Sequence, residues 1–319
     1  MIQLTRIFIL SLLVLSCSKK VKYIDKEINI NVVPLPKKVE VVESNKYILL
    51  PKKIKVFIDS DEKKNLFDLI SKDFKKLSFS NSFEPITNKN RSNLSLEIDK
   101  ELDEDEYEVA VNNKIVIKGG SLSAIKMARS TLLQLSENDN GRLTFPIVNL
   151  KDSPDAAYRG LLIDLARKWH KAETIYKLID LASFYKLNYL QFHLTDDQLF
   201  TFPSENFPKL QTENKHYTKE ELLSFVDYAN QRGVVIVPEI DVPGHSMQFV
   251  KKYPEIFSIS DAESGGEDLF GGRVDFVNVL NMGKEEVYTS LEKLFIEVMD
   301  IFHTSPYFHL GADEANLKL

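Results

Sequence analysis

The sequence predicts an α/β protein in two parts, a small α+β domain followed by parallel strands that alternate with helices. Residues 29–152 contain short alternating strands and two segments with a helical spacing of apolar residues. Residues 153–319 change to near-continuous apolar strands separated by amphipathic helices. Buried strands that alternate with helices are typical of βα units and of a parallel sheet.

Composition narrows the class of protein. The chain has 319 residues, of which 43% are hydrophobic, and this is ample for two folded cores. Its formal net charge is −6. Because nucleic-acid-binding proteins normally have a basic face, the sequence predicts no nucleic-acid partner.

The N-terminus reads as an export segment. Residues 1–6 carry a positive charge and residues 7–15 are almost wholly apolar, a run too short to span a bilayer, which takes about 20 residues. The segment closes on Leu-Ser-Cys at Cys17, which resembles a bacterial lipobox, where the cysteine receives lipid. The alternative is an ordinary signal peptide that happens to contain a cysteine.

We therefore expect a lipoprotein signal peptide over residues 1–17 and a polar, lysine-rich tether over residues 18–28. The mature protein is expected in the bacterial cell envelope, periplasmic or associated with the outer membrane, and anchored to the membrane through Cys17. Because Cys17 is the single cysteine, we expect no disulfide within the mature chain.

The first domain shows six elements with clear periodicity. Strands are predicted at 54–58, 94–98, 107–111 and 114–117, and helices at 62–77 and 121–135. Val-Asn-Asn-Lys at 111–114 indicates a hairpin turn between the last two strands. No group of residues in this domain suggests catalysis, so we predict a structural or docking role for it.

The second domain shows strands and helices in alternation. The strands are predicted at 160–165, 188–194, 234–239 and 307–311, and the helices at 173–185, 218–232 and 284–302. The polar residues that follow the strands are Asp164, Asp196, Asp197, Glu239, Asp241, His245, Asp313 and Glu314. A (β/α)₈ barrel assembles its active site from such strand ends. A doubly wound sheet places ligands similarly, although the chain lacks its Gly-rich phosphate loop.

Each of these polar residues also has a purely structural interpretation. His245 in Pro-Gly-His is compatible with a turn histidine bonded to backbone, and Asp196 and Asp197 are compatible with caps of the next segment. His193, Asp196, His245 and Asp313 together offer donors that a metal would accept. Because no His-x-His or His-x-x-x-His pair follows a strand, we predict no metal site.

Four sequence motifs, taken together, indicate a function far more specifically than any one of these residues does alone. They are Arg-Gly-Leu-Leu-Ile-Asp at 159–164, His-Leu-Thr-Asp-Asp-Gln at 193–198, Pro-Glu-Ile-Asp-Val-Pro-Gly-His-Ser at 238–246 and His-Leu-Gly-Ala-Asp-Glu at 309–314. In order and spacing they resemble the successive barrel-strand motifs of glycoside hydrolase family 20, the β-N-acetylhexosaminidases. The first domain, with Val-Pro-Leu-Pro at 33–36, is similar to the non-catalytic α+β domain of that family.

The resemblance implies a (β/α)₈ TIM barrel and a hydrolase. Such an enzyme removes terminal, non-reducing β-linked N-acetylhexosamine, GlcNAc or GalNAc, from oligosaccharides or glycoconjugates. The 2-acetamido oxygen of the substrate acts as the nucleophile in this family, so the configuration is retained. The implied partner is an N-acetylhexosamine-containing glycan, and no metal or organic cofactor is implied.

The same resemblance implies roles for individual residues. Glu314 is expected to be the acid/base, and Asp313 to hold the acetamido N–H and offset the developing positive charge. Asp196, His245 and Glu314 are expected to form a hydrogen-bonded relay, and Arg159 is expected to bind sugar hydroxyls. The residues expected to support this group from outside are His193, Asp164 and Glu239.

The chain ends soon after these motifs. Residues 159–319 contain about four predicted strands, whereas a complete barrel typically takes about 250 residues. We therefore expect only about the first four βα units, in a chain that is truncated. Two alternatives to an active hydrolase stay open, an inactive fragment and a lipoprotein that binds amino sugars without cleaving them.

Overall fold

The computed structural model describes residues 21–77, 79–259 and 277–315, together with the backbone of two short strands at 266–267 and 273–274. The predicted signal peptide, including Cys17, lies outside these residues. In the part of the chain that is described, no helix has the length and apolar character needed to cross a membrane.

The first domain consists of two sheets and two long helices. Its strands are β1 (Lys22–Asp25), β2 (Lys38–Val41), β3 (Lys46–Leu49), β4 (Lys53–Asp59), β5 (Ser82–Pro85), β6 (Leu94–Ile98), β7 (Tyr107–Val111), β8 (Ile115–Gly119), β9 (Glu137–Asp139), β10 (Arg142–Pro146) and β11 (Val148–Asp152). Its helices are α1 (Lys63–Lys76) and α2 (Leu122–Leu135), and a 3₁₀ turn spans Lys89–Arg91.

The larger sheet has the strand order β2-β11-β7-β8-β6-β4-β5, and the smaller has the order β1-β3-β10-β9. Helices α1 and α2 pack on the larger sheet through one apolar core that includes Ile54, Phe74 and Ala128. The Ser121 hydroxyl accepts a hydrogen bond from the N–H of Ala124 and so caps α2. The two predicted helices and the predicted hairpin, seen as the antiparallel pair β7–β8, are confirmed.

The predicted tether over residues 18–28 is wrong for Lys22–Asp25, in its middle. Lys22–Asp25 forms β1, which pairs antiparallel with Lys46–Leu49. Backbone hydrogen bonds hold β1 in place while its side chains stay largely exposed. Such a strand shows no apolar alternation, so the hydrophobic pattern did not reveal it.

The second domain alternates strands and helices. Its strands are β12 (Gly160–Asp164), β13 (Tyr189–His193), β14 (Val235–Glu239), β15 (Gly266–Glu267) and β16 (Arg273–Val274). Its helices are α3 (Ala172–Phe184), α4 (Lys219–Gln231), α5 (Met247–Lys252), α6 (Pro254–Phe257) and α7 (Glu285–Ile301), and a 3₁₀ turn spans Pro208–Leu210.

Strands β12, β13 and β14 form a parallel sheet in that order, which confirms the predicted βα alternation. A second core that includes Ile175, Phe192 and Phe225 joins the sheet to α3 and α4. Helix α4 begins with a capping box, in which Thr218 and Glu221 satisfy each other's backbone N–H groups. The predicted starts and ends of these elements are correct to within a residue or two.

Two expectations about the strands need correction. The predicted strand at 307–311 is reduced to a single parallel bridge between His309 and Glu239. Gly311, at φ +66°, turns the chain away from the sheet edge directly after it. The predicted buried strand β12 has Leu161 and Leu162 46% and 50% exposed, because it has one neighbouring strand within the described residues.

A buried ion pair of the first domain also contacts the second domain. Arg129 of α2 and Asp73 of α1 lie 3.0 Å apart, with side chains only 3% and 10% exposed. The same guanidinium donates to the hydroxyl of Ser183 in α3 at 3.0 Å, and the Ser130 hydroxyl donates to the Ser183 carbonyl. Burial raises the pKa of Asp73 and lowers the pKa of Arg129, so each depends on the other to stay charged.

We predict that Arg129→Met lowers the free energy of unfolding by about 3 kcal/mol, because it leaves a buried carboxyl without its partner. Urea denaturation followed by circular dichroism measures the change. The matched control is Lys72→Met, which removes an exposed cation from α1. The double variant Asp73→Leu/Arg129→Met should recover part of the loss, and an Arg129→Met protein as stable as the control would contradict the prediction.

Candidate active site

The carboxyl ends of the three parallel strands lie side by side. The register pairs Asp164 with His193, and His193 with Glu239. The bridge from Glu239 to His309 then adds the segment that leads to Asp313. The polar residues that the sequence distributes over about 150 positions therefore meet at one edge of the sheet, as predicted.

His193 lies buried between two carboxylates. Its Nε2 is 2.9 Å from Asp196 Oδ2, and its Nδ1 is 3.3 Å from Glu239 Oε1. Glu239 also accepts a hydrogen bond from Gln191 at 2.7 Å and faces His309 Nδ1 at 3.2 Å. Burial lowers the pKa of His193, but the two carboxylates outweigh burial and raise that pKa to about 10. His193 is therefore a charged, fixed support at neutral pH.

Asp196 is the most densely contacted carboxylate of the site, with a side chain only 1% exposed. Oδ2 receives Arg167 Nη2 at 2.8 Å in addition to His193, and Oδ1 accepts the N–H of Asp197 at 2.6 Å. Oδ1 also faces His245 Nδ1 at 3.4 Å. Burial raises the pKa of Asp196, but these donors outweigh burial and hold the pKa below its usual range.

His245 connects the buried carboxylate to the exposed ones. Its Nε2 lies 3.4 Å from Glu314 Oε2 and 3.8 Å from Asp313 Oδ1. The Glu314 and Asp313 side chains are 56% and 71% exposed, whereas His245 is 9% exposed. The His245 ring therefore lies between Asp196 and Glu314, which is the order of the predicted relay. The purely structural interpretation of His245, a bond to backbone, does not describe these contacts.

Asp241 supports the turn that carries the exposed pair. Its Oδ1 accepts the N–H of Ala312 at 3.2 Å, and its own N–H donates to Thr195 Oγ1 at 3.0 Å. A Cβ added to Gly311, which has φ +66°, would lie 2.1 Å from Asp241 Oδ1. Burial raises the pKa of Asp241 to about 6. The sequence showed Asp241 at a strand end but gave no sign of this supporting contact.

Asp164 holds Arg167 in place at the end of β12. Asp164 Oδ1 accepts the N–H groups of Ala166 and Arg167, and Oδ2 lies 3.0 Å from Arg167 Nη1. Arg167 therefore bridges Asp164 and Asp196, with its side chain 49% exposed. The signal for Arg167 in the sequence was its position three residues after a strand-end aspartate.

The expected sugar-binding role of Arg159 is not supported by its position. Arg159 precedes β12, so it lies at the opposite edge of the sheet from Asp164. Its Nε donates to the Lys186 carbonyl at 2.9 Å and its Nη1 to the Ala156 carbonyl at 2.6 Å. The two ends of a strand lie on opposite sides of the sheet. Of Arg159 and Arg167, only Arg167 lies on the side where the carboxylates meet.

In the part of the chain that the structure describes, three groups of residues bring potential metal ligands within 4.8 Å of one another. They are His193, Glu239 and Asp241; Asp196, Asp197 and His245; and Asp241, His245 and Asp313. In the first group, the His193 ring already has a carboxylate at each nitrogen, with Nε2 toward Asp196 and Nδ1 toward Glu239. The other two share His245, whose ring nitrogens face Asp196 and Glu314.

Comparison with known proteins identifies the family. Residues 157–319 match the profile of the "Glycosyl hydrolase family 20, catalytic domain", and residues 29–153 match "Glycosyl hydrolase family 20, domain 2". The chain belongs to glycosyl hydrolase family 20. The resemblance seen in the four motifs is therefore confirmed, and with it the fold class, an α+β domain followed by part of a TIM-barrel catalytic domain.

Relatives in family 20 are similar over most of this chain. The "Beta-hexosaminidase" of Vibrio furnissii is 33% identical over 235 residues, which cover 67% of this chain and 38% of that protein. The exo-β-N-acetylglucosaminidase of Vibrio harveyi, solved in complex with N-acetylglucosamine, superposes with a TM-score of 0.80 at 27% identity over 93% of this chain. The chitobiase of Flavobacterium johnsoniae gives 0.74 at 30% identity over 89%.

The chain spans less than half the length of these family 20 relatives. It covers 38% of the Vibrio furnissii protein, 49% of the Vibrio harveyi chain and 45% of the Flavobacterium johnsoniae chain. All four motifs lie inside the catalytic-domain match, as do Asp196, His245, Asp313 and Glu314.

We predict that His193 stays protonated from pH 5 to pH 8, because its folded pKa is raised from 6.5 to about 10. A raised histidine pKa means that its contribution to stability is complete below about pH 6.5 and is lost as the pH rises toward 10. NMR titration of the ring resonances, assigned with His193→Gln, measures the midpoint.

The Asp196→Asn variant should lower that midpoint, because the carboxylate at 2.9 Å is a main cause of the raised pKa. The matched control is Asp197→Asn, which removes the neighbouring carboxylate. Asp197 accepts hydrogen bonds from Met247 and Asn278, whereas His193 bonds to Asp196. A midpoint near 6.5 in the parent protein would contradict the prediction.

Proposed function

We propose that the protein is a β-N-acetylhexosaminidase, which hydrolyses terminal, non-reducing β-linked N-acetylhexosamine in glycans. The observation that carries the proposal is the position of His245, with Nδ1 toward the buried Asp196 and Nε2 toward Asp313 and Glu314. Exposed carboxyl groups backed by a buried histidine and aspartate are suited to giving and taking a proton in turn. Several family 20 relatives carry the name beta-hexosaminidase.

Glu314 acts as the acid/base in this proposal. It donates a proton to the glycosidic oxygen as the bond from that oxygen to the anomeric carbon breaks, and it later takes a proton from the attacking water. Glu314 must therefore be protonated in the first step and ionised in the second. The imidazole of His245 lies 3.4 Å from Glu314, with Asp196 on its other side. We propose that this imidazole supports Glu314 in both its protonated and its ionised state.

Asp313 stabilises the intermediate. In the substrate-assisted form of glycoside hydrolysis, the 2-acetamido oxygen bonds to the anomeric carbon and forms a positively charged oxazolinium. Asp313, the carboxylate next to Glu314, accepts the acetamido N–H and offsets this charge. One protein carboxyl group then supplies the acid and the other the counter-charge, so two adjacent residues at the end of one segment suffice.

We assign recognition of sugar hydroxyls to Arg167 instead of Arg159. The guanidinium of Arg167 is at the carboxylate edge, anchored by Asp164 and Asp196 at 3.0 and 2.8 Å, and half of the side chain stays open to solvent. A planar donor fork held on one side is well suited to binding hydroxyl pairs on the other. The carbonyls of Lys186 and Ala156 occupy the donors of Arg159.

Glu314→Gln should lower turnover of chitobiose by about a hundredfold to ten-thousandfold, because the leaving sugar oxygen needs a proton. The loss should be smaller for 4-nitrophenyl N-acetyl-β-D-glucosaminide, whose leaving group departs without one. Release of N-acetylglucosamine and of nitrophenol measures the two rates. The matched control is Glu292→Gln, which changes an exposed glutamate of α7.

Undiminished chitobiose hydrolysis by Glu314→Gln would refute the acid/base assignment. A parent protein that binds N-acetylglucosamine by calorimetry but releases no product from either substrate would refute hydrolysis and favour an amino-sugar-binding protein.

We also propose that the protein is exported and lipid-anchored in the bacterial cell envelope. The support is the apolar run at 7–15 that closes on Leu-Ser-Cys at Cys17. An anchored hydrolase would meet glycans outside the cytoplasm.

The lipidation proposal predicts that cells grown with radiolabelled palmitate incorporate label into the protein and that Cys17→Ala abolishes the label. Ser16→Ala, which leaves the cysteine in place, is the control and should retain it. Equal labelling of parent and Cys17→Ala would mean that lipid is not attached at this cysteine.

A further inference from the structure

A basic groove lies on the first domain, away from the carboxylate site. It encloses about 790 Å³ beside β1, β3 and the start of β4. Its cationic lining residues are Lys22, Lys52, Lys53, Lys55, Arg91 and Arg142. The other lining residues are Val21, Ile48, Leu49, Leu50, Pro51, Asn93 and Asn113, so the lining contains no carboxylate. This concentration of positive charge occurs on a chain whose net charge is −6.

Most of this charge is not neutralised within the protein. Lys53 pairs with Glu84 at 3.1 Å, and Arg142 donates to the Leu50 carbonyl. Apart from Arg142, the cations without an ion pair to any residue that the structure describes are Lys22, Lys52, Lys55 and Arg91. All four are exposed. Like charges held together without counter-ions favour an external anion.

The groove faces away from the helices of its domain. Along β4 the buried residues Ile54 and Val56 pack against α1, so the alternating residues Lys53 and Lys55 point to the other face of the sheet. Neither α1 nor α2 covers that face of the sheet, so it is accessible to an extended binding surface.

The start of the described chain lies inside the groove. Val21 and Lys22 line it, and Cys17 is four residues earlier in the sequence. Four residues reach at most about 14 Å when fully extended. A lipid on Cys17 would therefore keep the groove within about two Debye lengths of the headgroups, the Debye length being about 8 Å at physiological ionic strength.

We propose that this groove docks on the anionic phospholipid headgroups of the membrane that holds the lipid anchor. The inference rests on the lipidation proposed above and adds a second, electrostatic contact. A basic patch beside a lipid anchor is a known second determinant of attachment to an anionic membrane surface. Two contacts also restrict rotation about the tether, so they orient the catalytic domain relative to the membrane.

Vesicle binding of unlipidated protein tests the groove separately from the anchor. The chain from Ser18 onward, which retains every residue described, is mixed with vesicles of phosphatidylcholine alone or with 30% phosphatidylglycerol, and the bound fraction is measured by co-sedimentation. We expect binding only to the anionic vesicles, and a loss of binding between 50 and 500 mM salt. A failed palmitate experiment would remove the anchor without changing this result.

The variant Lys22→Gln/Lys52→Gln/Lys55→Gln/Arg91→Gln should weaken binding to anionic vesicles on the order of a hundredfold. The control Lys63→Gln/Lys64→Gln/Lys72→Gln/Lys75→Gln removes the same charge from the exposed side of α1 and should bind as the parent does. Circular dichroism melting of each protein establishes that it is folded.

Three outcomes would overturn the proposal. The first is that the protein binds neutral and anionic vesicles equally, and the second is that both quadruple variants lose the same amount of vesicle binding. The third is that the parent protein does not bind vesicles but binds soluble dextran sulfate. The last would indicate that the groove binds an anionic polysaccharide.

Discussion

Burying the carboxylate of Asp196 costs free energy, which the donor groups around it offset, and three of these groups come from three segments of the chain. Arg167 follows the first strand of the barrel, His193 ends the second, and His245 follows the third. The side chain of Asp196 is 1% exposed, so removing a partner leaves this buried charge with less compensation. The site holds together because each strand end supplies a donor to this one acceptor.

The outward-facing half of the site depends on a different constraint. Asp313 and Glu314 are on a turn instead of a strand, and the turn is held by the contact between Asp241 and Ala312. Gly311 allows that contact, because a side chain there would occupy the position of the Asp241 carboxylate. The two carboxylates proposed to react are thus exposed, while His245 and Asp196 beneath them are buried.

Much of the fold was predictable because its signals are local. Helices α1 to α4 and α7 follow from a 3.6-residue apolar spacing, and strands β12 to β14 from short apolar runs. The signal failed where backbone pairing acts without side-chain burial, as in β1, and where a turn replaces a strand, as at 307–311. In both places, partners distant in sequence set the conformation, and no local pattern records them.

The sequence by itself determined the family, through four motifs in order, and the strand-end residues Asp196, His245, Asp313 and Glu314. Only the tertiary structure placed Arg167, and not Arg159, beside the carboxylates. Both are arginines close to β12 in the sequence, but a strand separates its two ends by its full length, and the carboxylates collect at one of them. Composition showed a net acidic chain, whereas folding gathered six of its cations into one groove. Net charge is a property of the composition, whereas a binding surface depends on where the folded chain places its charged residues.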